Sequence, residues 1–307
     1  MLTAGALVLA AACGGGGAGD GDPVDAGQPE GFAATAEYLR DVAEASTSQP
    51  YQFTVRITSG GAGQAKLDKF PLVSGAHDGT WLHQVVAVGK LQQELAPSDQ
   101  QAIEVDARTE TIANDEVVYM HAALGEHSTI VPLDNILGGL GDAWGRIDLT
   151  RIDRGRVPPH LATLLGAGQT IDPQLFLGLI TQADEVADLP AEQVHGQRMS
   201  GLAASILLAD LLAARGIDPI TAAGASIDDE ITDAKVRIEA RIDQAGHIAR
   251  LDVDLGAALT KANPDADQST ELVNTIDFTH YGDPAIEVTP PSSSIDITDK
   301  ILAPTSE

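Results

Sequence analysis

One cysteine in 307 residues, Cys13, excludes an internal disulfide and leaves any cysteine-rich metal cage without ligands. Cations are scarce as well. Against 45 Asp and Glu stand 18 Lys and Arg, a formal charge of -27. That balance leaves no basic patch for a phosphate backbone, so nucleic acid is excluded as a partner, and it repels anionic head groups. Long apolar runs are missing too: residues 4–12 and "SILLADLLAA" at 205–214 fall short of the roughly 18 residues a membrane span requires. Catalytic signatures are equally absent. The sequence has no G-x-S-x-G, no P-loop and no dinucleotide fingerprint, and "GGLGDAWG" sets its glycines outside the strand-turn-helix order that such a loop needs. None of the eight histidines pairs at the i, i+4 spacing of a zinc helix, and "DGD" at 20–22 and "DDE" at 228–230 lack the glycine and glutamate of a calcium loop. The expectation is a protein that is not an enzyme, with no catalytic residues, no metal and no cofactor.

What is present begins at the amino terminus. "LTAGALVLAAAC" is an apolar run with the small-residue ending of a secretory signal, Ala10, Ala11 and Ala12 leading into Cys13. It resembles a lipobox, the signal at which bacterial lipoproteins are cleaved before a cysteine whose sulfur carries a diacylglyceryl group. Ala10 stands where that pattern favours Leu, and no basic residue precedes the run, as expected if the true start lies upstream of Met1. Residues 14–31 follow with eight glycines and with Asp20, Asp22 and Asp25. Such a segment cannot pack and serves as a tether spanning on the order of 23 Å. The expected organisation is a signal peptide at 1–12, a lipidated Cys13 with its tether at 13–31, and one domain at 32–307, extracytoplasmic and anchored to the cell membrane.

In that domain the apolar period alternates between helix and strand. Phe32, Ala36, Leu39 and Val42 mark a helix over 32–46. "YQFTVRIT" then sets Tyr51, Phe53, Val55 and Ile57 against Gln52, Thr54, Arg56 and Thr58, a strand with one wet face. The same alternation recurs at Ile103–Ala107, in "EVVYMHA", in "KVRIEARID" and "HIARLDVDL" across a short "QAG" turn, and in "TELVNTIDFTHYG". Two leucine-rich stretches, "DPQLFLGLI" and "SILLADLLAARG", read as helices whose stripes need an apolar surface to cover. Stretches 60–71 and 124–169 carry no clear period. The fold class expected is α+β: a curved antiparallel meander sheet, a half-barrel, with helices packed on its apolar concave face.

A helix, then an up-and-down sheet split by a helical insert, behind a lipobox and a glycine tether, resembles the LolA/LolB-like lipoprotein carriers, and more closely the LppX/LprG-type envelope lipoproteins of actinobacteria. The residues that carry the likeness are "PYQFTVRIT", "NDEVVYMHA", "AWGRIDLT", "DPQLFLGLI", "RIEARIDQAGHIARLDVDL" and the closing run Asp277, Phe278, Tyr281, Gly282, Pro284, Ile286, Pro290 and Pro291. The resemblance implies an apolar cavity that holds a lipid or the acyl chains of a lipoglycan. Its candidate lining is Phe53, Val55, Tyr119, Leu175, Leu179, Leu208, Leu212, Val253 and Phe278, each on its element's apolar face. The other reading open at this point is a tethered, ligand-free module that binds another envelope protein through a sheet edge or acidic face.

Overall fold

The computed structural model describes residues 35–60, 73–87, 108–123, 140–152, 173–183, 185–214, 234–256 and 271–302. All lie in one compact unit, Ala33–Glu307. Cys13, the tether and the strand expected at 103–107 fall outside the described residues.

The side chain of Thr35 accepts the Tyr38 N–H and starts α1 (Ala36–Thr47), as the helical period predicts. Leu39, Val42, Ala43 and Ser46 are its buried residues. The Ser46 hydroxyl donates to the Val42 carbonyl at 2.8 Å and accepts the Ile248 N–H at 2.9 Å, joining helix to sheet through one buried group.

Among the described residues twelve strands form a single sheet: β1 (Tyr51–Gly60), β2 (Val73–His77), β3 (Leu82–Ala87), β4 (Arg108–Ala113), β5 (Val117–Ala123), β6 (Gly145–Asp148), β7 (Val186–Val194), β8 (Gln197–Leu207), β9 (Lys235–Ile242), β10 (Ile248–Asp254), β11 (Glu271–Thr279) and β12 (Ile295–Asp296). Their spatial order is β12-β6-β5-β4-β3-β2-β1-β11-β10-β9-β8-β7, a curved sheet whose end strands do not pair to close a barrel. Two antiparallel meanders thus meet at the β1–β11 pair, where Phe53 lies opposite Phe278 and Val55 opposite Ile276. The one departure from the expected antiparallel pairing is β12, which runs parallel to β6, because it returns after a long connection from β11 rather than through a hairpin.

Between the meanders lies α2 (Pro173–Ile180), and α3 (Leu208–Ala214) follows β8. The stretch read as a helix from Ser205 is corrected here: Ser205, Ile206 and Leu207 continue β8, paired with Arg237, Val236 and Lys235. Pairing along β9 outweighs the leucine period there. Ile301 of a further helix, α4 (Thr298–Leu302), and Ile297 just before it cluster with Val118, Met120 and Ile147. Strands β2, β3, β7 and β8 carry little alternation, which is why the sequence did not announce them.

The two faces of the sheet differ in chemistry. On the face turned to the helices, cross-strand rows run Tyr51–His77–Leu82–Ala113–Val118–Ile147 and Phe53–Gly75–Gln84–Thr111–Met120. On the opposite face charges interlock. Asp277, 4 % exposed, meets Arg56 at 2.5 Å, Arg250 at 2.8 Å and His195 at 3.1 Å. Arg241 crosses over Gly201 to donate to the Pro190 carbonyl at 2.7 Å and to pair with Glu192 at 2.8 Å. Gly201 is required because a Cβ there would meet the guanidinium and Leu189.

Candidate ligand-binding face

Four of the residues named as cavity lining come together on the helix-covered face. Phe53, Val55, Val253 and Phe278 are all buried there, in strands β1, β10 and β11. Around Tyr51 they form an aromatic knot: its ring centroid stands 5.4 Å from Phe278, 5.4 Å from His77, 5.7 Å from Tyr281 and 6.3 Å from Phe53. From α2, Leu179 is buried and Leu175 half-buried; Leu208, at the start of α3, is half-buried. The side chain of Leu212, like Cys13, lies outside the described residues. Tyr119 does not join the others. Its cross-strand partners are Ile112 and Arg146, while its neighbours Val118 and Met120 take the inner face, so alternation turns Tyr119 to the opposite side. Read from sequence alone, either face of "EVVYMHA" could be the inner one; only the register decides.

The inner face is not uniform. One apolar cluster surrounds Tyr51, Phe53 and Phe278, beside α2, and a second surrounds Val118, Met120 and Ile147, beneath α4. Between them, on β2, β3 and β4, stand Gly75, Gln84 and Thr111, small or polar side chains where the flanking strands carry large apolar ones. A cleft of about 200 Å³ opens at another end of the sheet, lined by Leu179, Gln182, Glu185, Ser205, Ile206, Leu207, Asp210 and Lys235. Leu179 is its one residue from the candidate lining.

Helix α2 is fastened to this face by His77, whose importance periodicity did not reveal. The Gly79 main-chain N–H donates to His77 Nδ1 at 3.1 Å, and the Gln174 carboxamide stands 2.8 Å from Nε2. Of the Gln174 carboxamide it is the nitrogen that faces the ring. Burial lowers the His77 pKa below its ordinary 6.5, against the opposing charge of Asp78. Asp78 in turn is held below the usual carboxylate range. Burial pushes it upward, but N–H groups of Trp81, Thr80 and Val288 outweigh that, so one carboxylate ties the β2–β3 turn to the chain after β11.

The closing run of the sequence has a structural explanation. Asp277 anchors the ion cluster and Phe278 joins the aromatic knot. The Tyr281 hydroxyl donates to the Ile248 carbonyl at 2.8 Å, with its ring stacked on His247 at 4.7 Å. Burial raises the pKa of that hydroxyl far above its ordinary value. Gly282 adopts φ +70° and donates its N–H to the Pro50 carbonyl at 2.9 Å. Among the described residues no group of His, Cys, Asp and Glu is placed to hold a metal, and no helix is long and apolar enough to cross a membrane.

No family model matches the chain, and no curated protein does. Among solved structures it is similar to the lipoprotein LppX of Mycobacterium tuberculosis, at 12 % identity over 82 % of this chain and 96 % of that one, with a TM-score of 0.35. It is likewise similar to LprF from Mycobacterium bovis, at 12 % identity over 85 % and 99 % of the two chains and a TM-score of 0.35. A DUF1329 family protein from Desulfovibrio piger shares 10 % identity over 83 % and 96 %, with a TM-score of 0.26. The architecture described above rests on this chain's own strand order.

Proposed function

We propose that this protein is an extracytoplasmic lipoprotein, anchored to the membrane through Cys13, whose folded domain binds a lipid or the acyl part of a lipoglycan along the helix-covered face of its sheet. The observation that carries the reading is the apolar, helix-covered face itself: one cluster around Phe53 and Phe278 and a second around Val118, Met120 and Ile147 flank the Gly75–Gln84–Thr111 row. An acyl chain laid there gains about 0.8 kcal/mol per buried methylene, so few directional contacts are needed. The tether keeps the domain near the membrane despite its charge of -27, which no surface attraction would do.

The edges of the sheet give less support to a ligand-free module that recruits a partner strand. The β7 edge is broken by Pro190 and by a register shift between Leu189 and Glu192, and β12 on the other edge is two residues long. The test is to purify the full chain carrying Cys13→Ala, extract it with organic solvent and identify the extract by mass spectrometry. Stoichiometric lipid in the folded protein, or saturable uptake of a fluorescent fatty acid, is expected. A folded protein that neither carries nor takes up lipid overturns the reading.

A further inference from the structure

Both tryptophans of the chain stand on the face of the sheet turned away from the helices. Trp81 precedes β3 and its ring lies 6.0 Å from that of Tyr119 in β5; Trp144 precedes β6 and lies 5.4 Å from the ring of His121, also in β5. Tyr119 and His121 are two residues apart on one strand, so the two ring pairs repeat at about 7 Å along the sheet. All four rings are half-buried, and beneath them Ile112 is buried on the same face, so the platform is built on a packed floor. Polar groups flank the rings. His83 Nε2 stands 2.7 Å from Glu110 Oε1, Arg108 lies 3.8 Å from the same carboxylate, and Arg146 pairs with Asp148 at 3.4 Å.

The geometry points to a binding platform for a neutral glycan on the outer face of β3–β6, with sugar rings laid on the Trp81–Tyr119 and His121–Trp144 pairs. A pyranose ring has an apolar C–H face that packs on an indole and a rim of hydroxyls that needs donors and acceptors alongside, which Glu110, His83 and Arg146 supply. The charge pattern selects among ring-stacking ligands. In a chain with so large an acidic excess, the carboxylates of the patch, Glu110, Asp148 and Asp296, are each met by a guanidinium, so the patch holds no uncompensated cation to attract an anion. Nucleobases stack as readily, but their phosphates need a cationic groove. A lipid surface needs rings that protrude and free cations beside them. This site lies on the opposite face from the one proposed to hold an acyl chain and does not depend on it.

The two tryptophans make the test direct, because both lie in the platform and indole emission therefore reports on it alone. The full chain is titrated with cellohexaose, maltohexaose and mannohexaose, and separately with vesicles of phosphatidylcholine and phosphatidylglycerol. The expected result is a saturable emission shift with at least one hexasaccharide that does not change with salt. That affinity should weaken about tenfold in Trp81→Ala and in Trp144→Ala, each read through the remaining indole. Glu110→Gln, which leaves every ring in place, should weaken it about fivefold by removing a charged acceptor. The proposal is overturned by no saturable shift with any of the three sugars, by an affinity unchanged in each of the two single tryptophan variants, or by a response to vesicles alone.

Discussion

The ring of Phe53 lies against the main chain of Gly75, its cross-strand partner, so closely that a Cβ at residue 75 would stand 2.5 Å from Phe53 Cζ. The same Cβ would meet the His83 carbonyl of the next strand, which cannot swing aside. Gly75→Ala should therefore destabilise the domain by about 1–3 kcal/mol, read as a lower urea midpoint. Adding Phe53→Leu should recover only part of the loss, because the carbonyl contact persists. Equal midpoints for wild type and Gly75→Ala would contradict the packing described.

Asp277 is buried among Arg56, Arg250 and His195 on the outer face. Removing the carboxylate leaves partly buried cations without a counter-charge, so Asp277→Ala should cost about 3 kcal/mol in chemical unfolding. Arg56→Ala alone should cost well under half as much, because its side chain is 37 % exposed and Arg250 remains on Asp277.

Acid sensitivity should follow from His77. Its folded-state pKa is lowered by burial, so the unfolded chain takes up this proton first as pH falls. The contribution is fully present above the ordinary 6.5 and is lost progressively below it. Urea midpoints measured from pH 7.5 down to 5 should fall more steeply in wild type than in His77→Gln. Parallel curves would show that His77 does not titrate on unfolding. Asp252 has the opposite sign: burial raises its carboxyl pKa, so its share of stability increases toward acid, in the carboxylate range below the histidine window.

Membrane retention should depend on one atom. With Cys13→Ala the protein should move from the membrane pellet to the soluble fraction after cell lysis, since Sγ is the only thiol available for acylation. Unchanged pelleting would remove the anchor from the proposal.

Much of the sheet was legible because alternation reports a face that is half wet. "YQFTVRIT", "KVRIEARI" and "IARLDVD" set apolar residues against arginines and aspartates, and they became β1, β9 and β10. Strand β8, "QRMSGLAASIL", gave no such signal because its residues 201–204 are buried on both faces, and its leucines were counted into a helix that begins only at Leu208. Tyr119 was assigned to the wrong face for a related reason. "EVVYMHA" is apolar on both sides, and the choice was made by pairing with β4 and β6.

The sequence by itself determined the local chemistry: where the chain alternates, where it caps a helix, and that a single cysteine precedes a glycine-rich segment. Those properties depend on neighbours within a few residues, and a linear reading reaches them. Tertiary structure alone decided which residues meet across distance. Two meanders had to join at β1 and β11 before Asp277 could gather Arg56, Arg250 and His195, and before the Gln174 carboxamide could reach His77 across 97 residues. Register decided the rest. A period-two strand offers two faces of equal standing, and only hydrogen bonding to particular partners turns one of them toward the helices and the other toward water.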